Sequence, residues 1–334
     1  MIDKPRARFL DYMYFVDRGS RSGRRISVVL LAVLAALAFG GCSHQTYNRK
    51  TEESVTSGKI VVVCAREALD AIARAQSAFE ALYPAAKIVV RPGTSREAIA
   101  ELFGARCDLA VISRDLLPEE RRAAVEGKLA VDGYPFARDA LVMVVHPNNQ
   151  VENAAIEDLR RVYGGEIRNW SALGGQGGEI VPVVQSPNAD VTDFFEEAVM
   201  AGEPMRARAV TAESDSEAAR RVAREPRALG FVSLSHVTRD VRPLNIAPLA
   251  GLSYWKPDPE AIYKGSYPLS RLYRLEVRDK CPPLANGFIT FLTSADGQKI
   301  VRDAGLVPTS IPVRFVRRSP MLGTHTQGDT SHKP

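Results

Sequence analysis

Residues 162–195 read VYGGEIRNWSALGGQGGEIVPVVQSPNADVTDFF, and this stretch carries the most information about the fold of the chain. A glycine-rich turn is followed by an apolar strand and then by a helical segment that begins near Val191. The glycines look like a phosphate cradle, but no Lys-Ser/Thr pair follows them, so the segment is not a P-loop. Trp170 is predicted to fill core beside the turn rather than to contact a ligand.

Strand and helix patterns alternate on the amino-terminal side of this stretch. Short apolar runs at 59–64, 87–91 and 108–113 predict buried strands. The two segments between them have helical periodicity, and the second opens with a capping box formed by Thr94 and Glu97. This order of elements predicts a parallel sheet with right-handed crossovers.

The alternation continues on the carboxyl-terminal side. Apolar runs at 139–147 and 228–234 are typical of strands, and the segments 214–226 and 286–305 are typical of helices. The segment 265–277 precedes the last of these helices. The chain is therefore predicted to form a second α/β unit and to close on a long helix.

Five motifs, in one order, resemble those of the phosphate-binding proteins of ABC importers, which are periplasmic binding proteins. YGGEIRNWSALGG resembles the family's G-x-I-x-N-W-x-x-L-G-G signature, and ALGFVS, SYPLSRLY, FITFLTSADGQKIVRDAG and GLVP resemble later motifs. Each motif alone is weak, but the order is fairly specific. The resemblance implies an α/β, two-lobed periplasmic-binding-protein fold (type II), in which each lobe is a mostly parallel sheet flanked by helices.

The resemblance also implies how the chain is divided. Residues 43–57 are polar and predict a disordered tether, and residues 313–334 predict a disordered tail. The solute-binding domain is expected at 58–312, with lobe 1 at about 58–140 and 250–312 and lobe 2 at about 141–249.

In this family the ligand lies outside the carboxyl ends of the strands, where helix N-termini offer free N–H groups. The ligand-binding residues that the resemblance places there are Ala65 and Arg66 after the first strand, Thr94 and Ser95 at a helix start, and Asp108 and Ser113 around the third strand. Asp108 matches the family's aspartate that accepts a proton from bound phosphate. The turn after the first strand lacks the hydroxyl that the family often has.

A fourth element of the site departs from the family pattern. Where the family has an Arg and, after three residues, Ser-Gly-Thr, this chain has Gln185 and then Ala189, Asp190 and Val191. Each hydrogen bond to a charged group contributes about 1.5–3 kcal/mol, so losing an Arg and two hydroxyls weakens phosphate binding by orders of magnitude. Asp190 is expected at an N-cap, where its carboxylate takes the N–H groups of its own helix and repels an anion.

Several of these residues have simpler interpretations. Thr94 needs no ligand if it caps a helix. Asp108 has Arg106 and Arg114 nearby in sequence as alternative ion-pair partners. An exposed arginine at a helix start, such as Arg66, is usually solvated.

The amino terminus predicts export. Basic residues precede an apolar run of about 16 residues in the segment 1–42, which is short for a membrane span and typical of a signal peptide. Cys42 directly follows two glycines, which resembles a lipobox and implies a lipid anchor on the periplasmic or cell-surface face of a bacterial membrane. An ordinary signal peptide or an uncleaved anchor is the alternative, and translation can begin at Met1 or Met13.

Charge and cysteine usage exclude several functions. The chain has 44 Lys/Arg and 39 Asp/Glu, but the excess lies at the ends, so the body of the protein lacks the basic footprint of a nucleic-acid binder. Cys64, Cys107 and Cys281 are predicted to be free, since Cys64 ends one strand and Cys107 opens another. No CxxC or HxxxH spacing suggests a metal, no cofactor is implied, and no nucleophile elbow supports an enzyme.

The leading hypothesis is a lipid-anchored solute-binding protein. It would bind phosphate or another small oxyanion between its lobes and present it to the permease and ATPase subunits of an ABC importer. The alternative is a receptor-like envelope protein that has lost phosphate binding and serves sensing or protein interaction, and Gln185 with Asp190 is the feature that favours it.

Overall fold

The computed structural model describes residues 53–310. The predicted signal peptide, Cys42, most of the tether and the tail at 313–334 lie outside the described residues. Among the described residues, no helix is long and apolar enough to span a membrane.

The first lobe is built on three parallel strands, as the sequence predicts. β1 (Gly58–Ala65) pairs in parallel with β2 (Ala86–Gly93) on one side and with β3 (Leu109–Ile112) on the other, and the strands are connected by helices. Its elements before the crossing strand are β1 (Gly58–Ala65), a 3-10 turn (Arg66–Ala68), α1 (Leu69–Leu82), β2 (Ala86–Gly93), α2 (Ser95–Phe103), β3 (Leu109–Ile112) and α3 (Pro118–Glu126). The alternating strand and helix patterns of this region are confirmed.

Two long antiparallel strands connect the lobes. β4 (Val131–Val145) pairs with β11 (Ser270–Arg278) along its first half and with β8 (Ala228–Ser233) along its second half. β4 begins before the predicted strand at 139–147, because residues 131–135 are not buried and are held by backbone pairing with β11, which an apolar run does not reveal. With β6 (Val181–Gln185) and β7 (Val210–Ala212) of the second lobe, the sheet order is β2-β1-β3-β11-β4-β8-β6-β7, with parallel strands at both ends and antiparallel strands in the middle.

The second lobe repeats the α/β plan. Between the crossing strands its elements are β5 (Asn153–Ala155), α4 (Ile156–Tyr163), a 3-10 turn (Trp170–Leu173), β6 (Val181–Gln185), α5 (Asp190–Phe195) with a π-helical extension (Glu196–Met200), β7 (Val210–Ala212), α6 (Asp215–Arg224), β8, β9 (Arg242–Pro243) and β10 (Asn245–Ala247). β6 pairs in parallel with both β7 and β8. Trp170 is 3% exposed, and its indole N–H donates to the Arg227 carbonyl at 3.0 Å, which confirms its packing role.

Each lobe has its own hydrophobic core. Phe195 and Phe231 stack with ring centroids 4.3 Å apart in the second lobe, and Phe79 and Phe288 meet edge to face at 5.6 Å in the first. The remaining helices are α7 (Pro259–Lys264), α8 (Pro283–Thr293) and α9 (Ala295–Asp303), and the last strand is β12 (Val307–Pro308). α7 packs in the second core, whereas the sequence assigned 250–312 to the first lobe.

The prediction of one continuous helix at 286–305 is wrong. Ser294 separates α8 from α9 in an extended conformation, and its hydroxyl caps α9 by accepting from the Gly297 N–H. A Cβ on Gly297 would lie 2.2 Å from the Phe291 carbonyl oxygen, so the tight break requires glycine there. The periodicity of apolar residues continues across the break, which is why it did not reveal the cap.

The cysteines are free, as predicted, among the described residues. Cys64 pairs with Val111 in the parallel β1–β3 ladder, which leaves Cys107 beyond the opposite end of β3. Cys64 and Cys107 are buried, whereas Cys281 is only half-buried.

Candidate ligand site in the interlobe cleft

Three polar residues from both lobes meet where the strands end. Ser95 is the first residue of α2, Ser113 directly follows β3, and Asp190 is the first residue of α5. All three are buried. The cleft therefore brings together the helix start, the third-strand end and the altered element that the sequence placed around a ligand.

The Asp190 carboxylate occupies the anion-binding position of α2. The Ser95 backbone N–H donates to Oδ1 at 3.0 Å and to Oδ2 at 2.9 Å, and the Ser95 hydroxyl donates to Oδ2 at 2.8 Å. The Ser113 backbone N–H in turn donates to Ser95 Oγ at 2.9 Å. A helix N-terminus and a hydroxyl are donors that suit an oxyanion, and here a carboxylate of the protein itself accepts from them.

The predicted N-cap role of Asp190 is wrong. Ala189 is the N-cap of α5, and no side chain caps this helix. Asp190 lies one position later and reaches the opposite lobe instead of its own helix N–H groups. Local sequence spacing suggests the nearest N–H groups as partners and carries no information about a donor 95 residues away.

Gln185 is engaged inside the second lobe. Its amide Nε2 donates to Asp215 Oδ1 at 2.9 Å and to the Phe231 carbonyl at 3.3 Å. Asp215 Oδ1 also accepts from the Ser233 backbone N–H at 2.8 Å. The side chain at this position therefore stabilises the start of α6. Val191 is fully buried in the second core, and Ala189 is half-buried beside it.

The other predicted site residues of the first lobe make local contacts instead of lining the Ser95–Asp190 contact. Thr94 and Glu97 form the predicted capping box, with the Glu97 N–H donating to Thr94 Oγ1 at 3.2 Å and the Thr94 N–H to Glu97 Oε2 at 2.8 Å. Ala65 is the buried last residue of β1, and Arg66 after it is exposed. Asp108 precedes β3 and accepts the Val61 N–H at 2.8 Å. Since β3 separates Asp108 from Ser113, the structure does not bring Asp108 together with the Ser95–Asp190 contact.

A groove of about 290 Å³ lies beside the Ser95–Asp190 contact, and Arg96 and Arg114 line it opposite Asp193. Arg114 is committed to a bidentate pair with Glu120, with both N–O distances at 2.8 Å. The pKa of Asp193 is raised, first by burial and then by the neighbouring Asp190. The mouth of the cleft thus carries basic groups from one lobe and acidic groups from the other.

Sequence reasoning missed a buried ion pair between the crossing strands. Arg271 and Asp139 face each other in the β11–β4 ladder, with Arg271 Nη2 and Nε donating to Asp139 Oδ2 at 2.8 and 3.1 Å. Arg271 Nη2 also donates to Ser233 Oγ at 2.9 Å and to the Tyr273 hydroxyl at 3.1 Å. In the sequence, Arg271 is part of the SYPLSRLY motif, and neither this motif nor the strand pattern around it indicates a partner 132 residues away.

Three buried polar atoms have no hydrogen-bond partner among the described residues of this region. They are Arg271 Nη1, Glu67 Oε2 and Thr192 Oγ1. Burial raises the pKa of Glu67 to about 7, while nearby Arg271 opposes the shift and Asp190 and Asp215 add to it. Burial also raises the pKa of the Cys64 thiol, with Glu67 and Asp190 contributing. Glu67, Arg271, Asp190 and Asp215 therefore share one electrostatic environment.

The chain resembles known proteins over most of its length. The phosphate-binding protein PstS of Bacillus subtilis (strain 168) is 25% identical over 299 residues, which cover 86% of this chain and 95% of that protein. An ABC-type phosphate transport receptor from Vibrio cholerae has a TM-score of 0.64 at 24% identity and covers 74% of this chain and 99% of its own. PstS from Borrelia burgdorferi has a TM-score of 0.59 at 19% identity and covers 76% of this chain and 100% of its own.

The two structural likenesses establish the two-lobed fold of type II periplasmic binding proteins, which confirms the fold that the sequence predicts. The model of the PBP superfamily domain matches residues 50–296, which is most of the chain. The chain belongs to the PBP superfamily, and within it is similar to the phosphate-binding proteins of ABC importers.

Proposed function

We propose that this chain is an extracytoplasmic solute-binding protein of an ABC importer, anchored to a bacterial membrane by a lipid on Cys42. It binds phosphate or another small oxyanion between its lobes and presents it to permease and ATPase subunits. The protein acts by binding and carries out no catalysis. The names of its relatives support the transport role, since they are phosphate-binding proteins and transport receptors.

One observation carries the choice of an oxyanion. Ser95 offers a backbone N–H and a hydroxyl to the two oxygens of a carboxylate at 2.8–3.0 Å. A carboxylate and a phosphate present the same pair of acceptor oxygens to such donors, so the donors fit either group. Ser113 holds the Ser95 hydroxyl in place at 2.9 Å, which keeps the donors oriented before a ligand arrives.

The occupied site sets the affinity. A ligand anion must displace the Asp190 carboxylate from Ser95, and the displaced carboxylate then repels it. The arginine expected at position 185 is also missing, and the Gln185 in its place is bonded to Asp215. Phosphate therefore binds to this chain more weakly than to a receptor with the complete family pattern.

The alternative function, a receptor-like envelope protein for sensing or protein interaction, rests on the same Asp190–Ser95 contact. If Asp190 filled the cleft permanently, the protein would have to act through the outer surface of its lobes, by binding other proteins. The names of the relatives favour the transport receptor.

Calorimetry with inorganic phosphate tests the proposal on the full chain purified in detergent. A revertant carrying Gln185→Arg, Ala189→Ser, Asp190→Gly and Val191→Thr should bind phosphate more tightly than the wild type, because it regains donors and loses a competing carboxylate. Ser95→Ala in the revertant should reduce this gain. Failure of the wild type and the revertant to bind either phosphate or sulfate would refute an oxyanion receptor.

A further inference from the structure

The floor of the cleft contains a donor and an acceptor that nothing in the described chain satisfies. The Arg271 side chain is 2% exposed, and its Nη1 has no hydrogen-bond partner. Glu67 Oε2 is enclosed and also has none. Buried polar atoms in native proteins are nearly always paired, so two unpaired atoms of opposite character in one cleft require a physical reason.

These two groups are neighbours without being an ion pair. Arg271 is the strongest charged influence on Glu67, yet the described chain contains no salt bridge between them. The Arg271 guanidinium lies 5.8 Å from the centre of the Phe194 ring. Phe194 follows Asp190 by four residues in α5, so the two side chains lie on the same side of that helix. Arg271 and Phe194 line a groove of about 400 Å³ with Ser113, and Asp190 lies one turn before Phe194 in α5.

The charge around this groove does not suit a simple anion. Glu67 and Asp190 contribute carboxyl groups, and Arg271 is already neutralised by Asp139. An inorganic anion bound to Ser95 would gain one guanidinium N–H and face two carboxyl groups. A ligand that also carries a positive group would turn those two carboxyl groups into partners.

We propose that the cleft takes a small zwitterion, whose anionic group contacts Ser95 and Arg271 Nη1 and whose ammonium group contacts Glu67 and Asp190. This inference rests on the proposed function, since it assigns a ligand class to the same cleft. The anionic group replaces the Asp190 carboxylate at Ser95, and the released carboxylate gains the ammonium as its new partner. Both unpaired atoms of the floor are then satisfied.

A matched pair of probes tests the inference on the wild-type full chain in detergent. 2-Aminoethylphosphonate and ethylphosphonate share the acid group and differ in the ammonium. Calorimetry should give the amine about tenfold tighter binding or more, the size expected of one charge-assisted hydrogen bond. Equal affinities for the two probes, with measurable binding of both, would overturn the zwitterion.

The variant Glu67→Gln tests whether the preference for the amine-bearing probe depends on Glu67. It keeps the shape of the side chain and should remove most of the preference for the amine, whereas Glu119→Gln on the exposed surface of α3 should keep it. An unchanged preference in Glu67→Gln would overturn the assignment to Glu67. If phosphate and both phosphonates fail to bind even to Asp190→Ala, then the proposed oxyanion function fails first, which separates the two outcomes.

Discussion

Replacing Asp190 by alanine should strengthen oxyanion binding, because the carboxylate competes with the ligand for Ser95. Asp190 accepts two charge-assisted hydrogen bonds, one from the Ser95 N–H shared between its oxygens and one from the Ser95 hydroxyl. Bonds to a charged group contribute about 1.5–3 kcal/mol each, so the contact that a ligand must break is worth at least about 3 kcal/mol. At ~1.4 kcal/mol per tenfold change, removing it tightens binding by about 100-fold.

Isothermal titration calorimetry with inorganic phosphate measures this gain directly. Small-angle X-ray scattering adds a second measurement, because the same two bonds hold the lobes together without ligand. The wild type should have the same radius of gyration with and without phosphate. Asp190→Ala should be more expanded when ligand-free and should contract on binding.

The matched control is Glu196→Gln, which removes a negative charge from the exposed side of the same helical segment and touches no donor of the site. An exposed charge contributes at most about 1 kcal/mol, so phosphate affinity should change by only a few fold. The reasoning is refuted if Asp190→Ala binds phosphate no more tightly than Glu196→Gln does. Equal gains in both variants would mean that general charge, and not the contact with Ser95, limits binding.

Three further predictions concern the buried groups around the cleft. The pKa of Glu67 is raised to about 7 in the folded protein, so the native state binds more protons than the unfolded state between about pH 4.5 and 7. As pH rises through that window, the wild type should therefore lose on the order of 3 kcal/mol of unfolding free energy relative to Glu67→Gln. Urea denaturation at several pH values checks this, and parallel curves for the two proteins would contradict it. Gln185→Leu leaves Asp215 without its amide donor and should destabilise the fold by about 1–3 kcal/mol in the same assay. Arg271→Met leaves Asp139 buried and uncompensated and should cost about 3–5 kcal/mol, most of which a second change, Asp139→Asn, should restore; a double variant as unstable as the single one would argue against the ion pair.

The fold was predictable because its signals are local. The apolar run that forms β1 and the capping box at Thr94 each depend on a few neighbouring residues, and both are present as predicted. The order of these elements then limits the topology to parallel pairing around β1.

The site was only partly predictable because its contacts are not local. Ser95 and Ser113 were placed near the ligand by the resemblance to the family's motifs, and the structure brings them together. The donor that Asp190 finds lies in the other lobe, and Arg271 meets Asp139 only after the chain has crossed between the lobes twice. The sequence shows which side chains are present, but contacts such as Asp190–Ser95 and Arg271–Asp139 depend on how the lobes come together. The spacing of residues along the chain does not predict that arrangement.

The central claim is that the anion site at Ser95 is occupied by Asp190 until a ligand replaces it. Crystal structures of the wild-type chain without ligand and after soaking with inorganic phosphate test this claim most directly. Without ligand, the Asp190 carboxylate should lie about 3 Å from the Ser95 N–H, and with phosphate a ligand oxygen should occupy that position. Phosphate bound in the cleft while Asp190 still holds Ser95 would contradict the account.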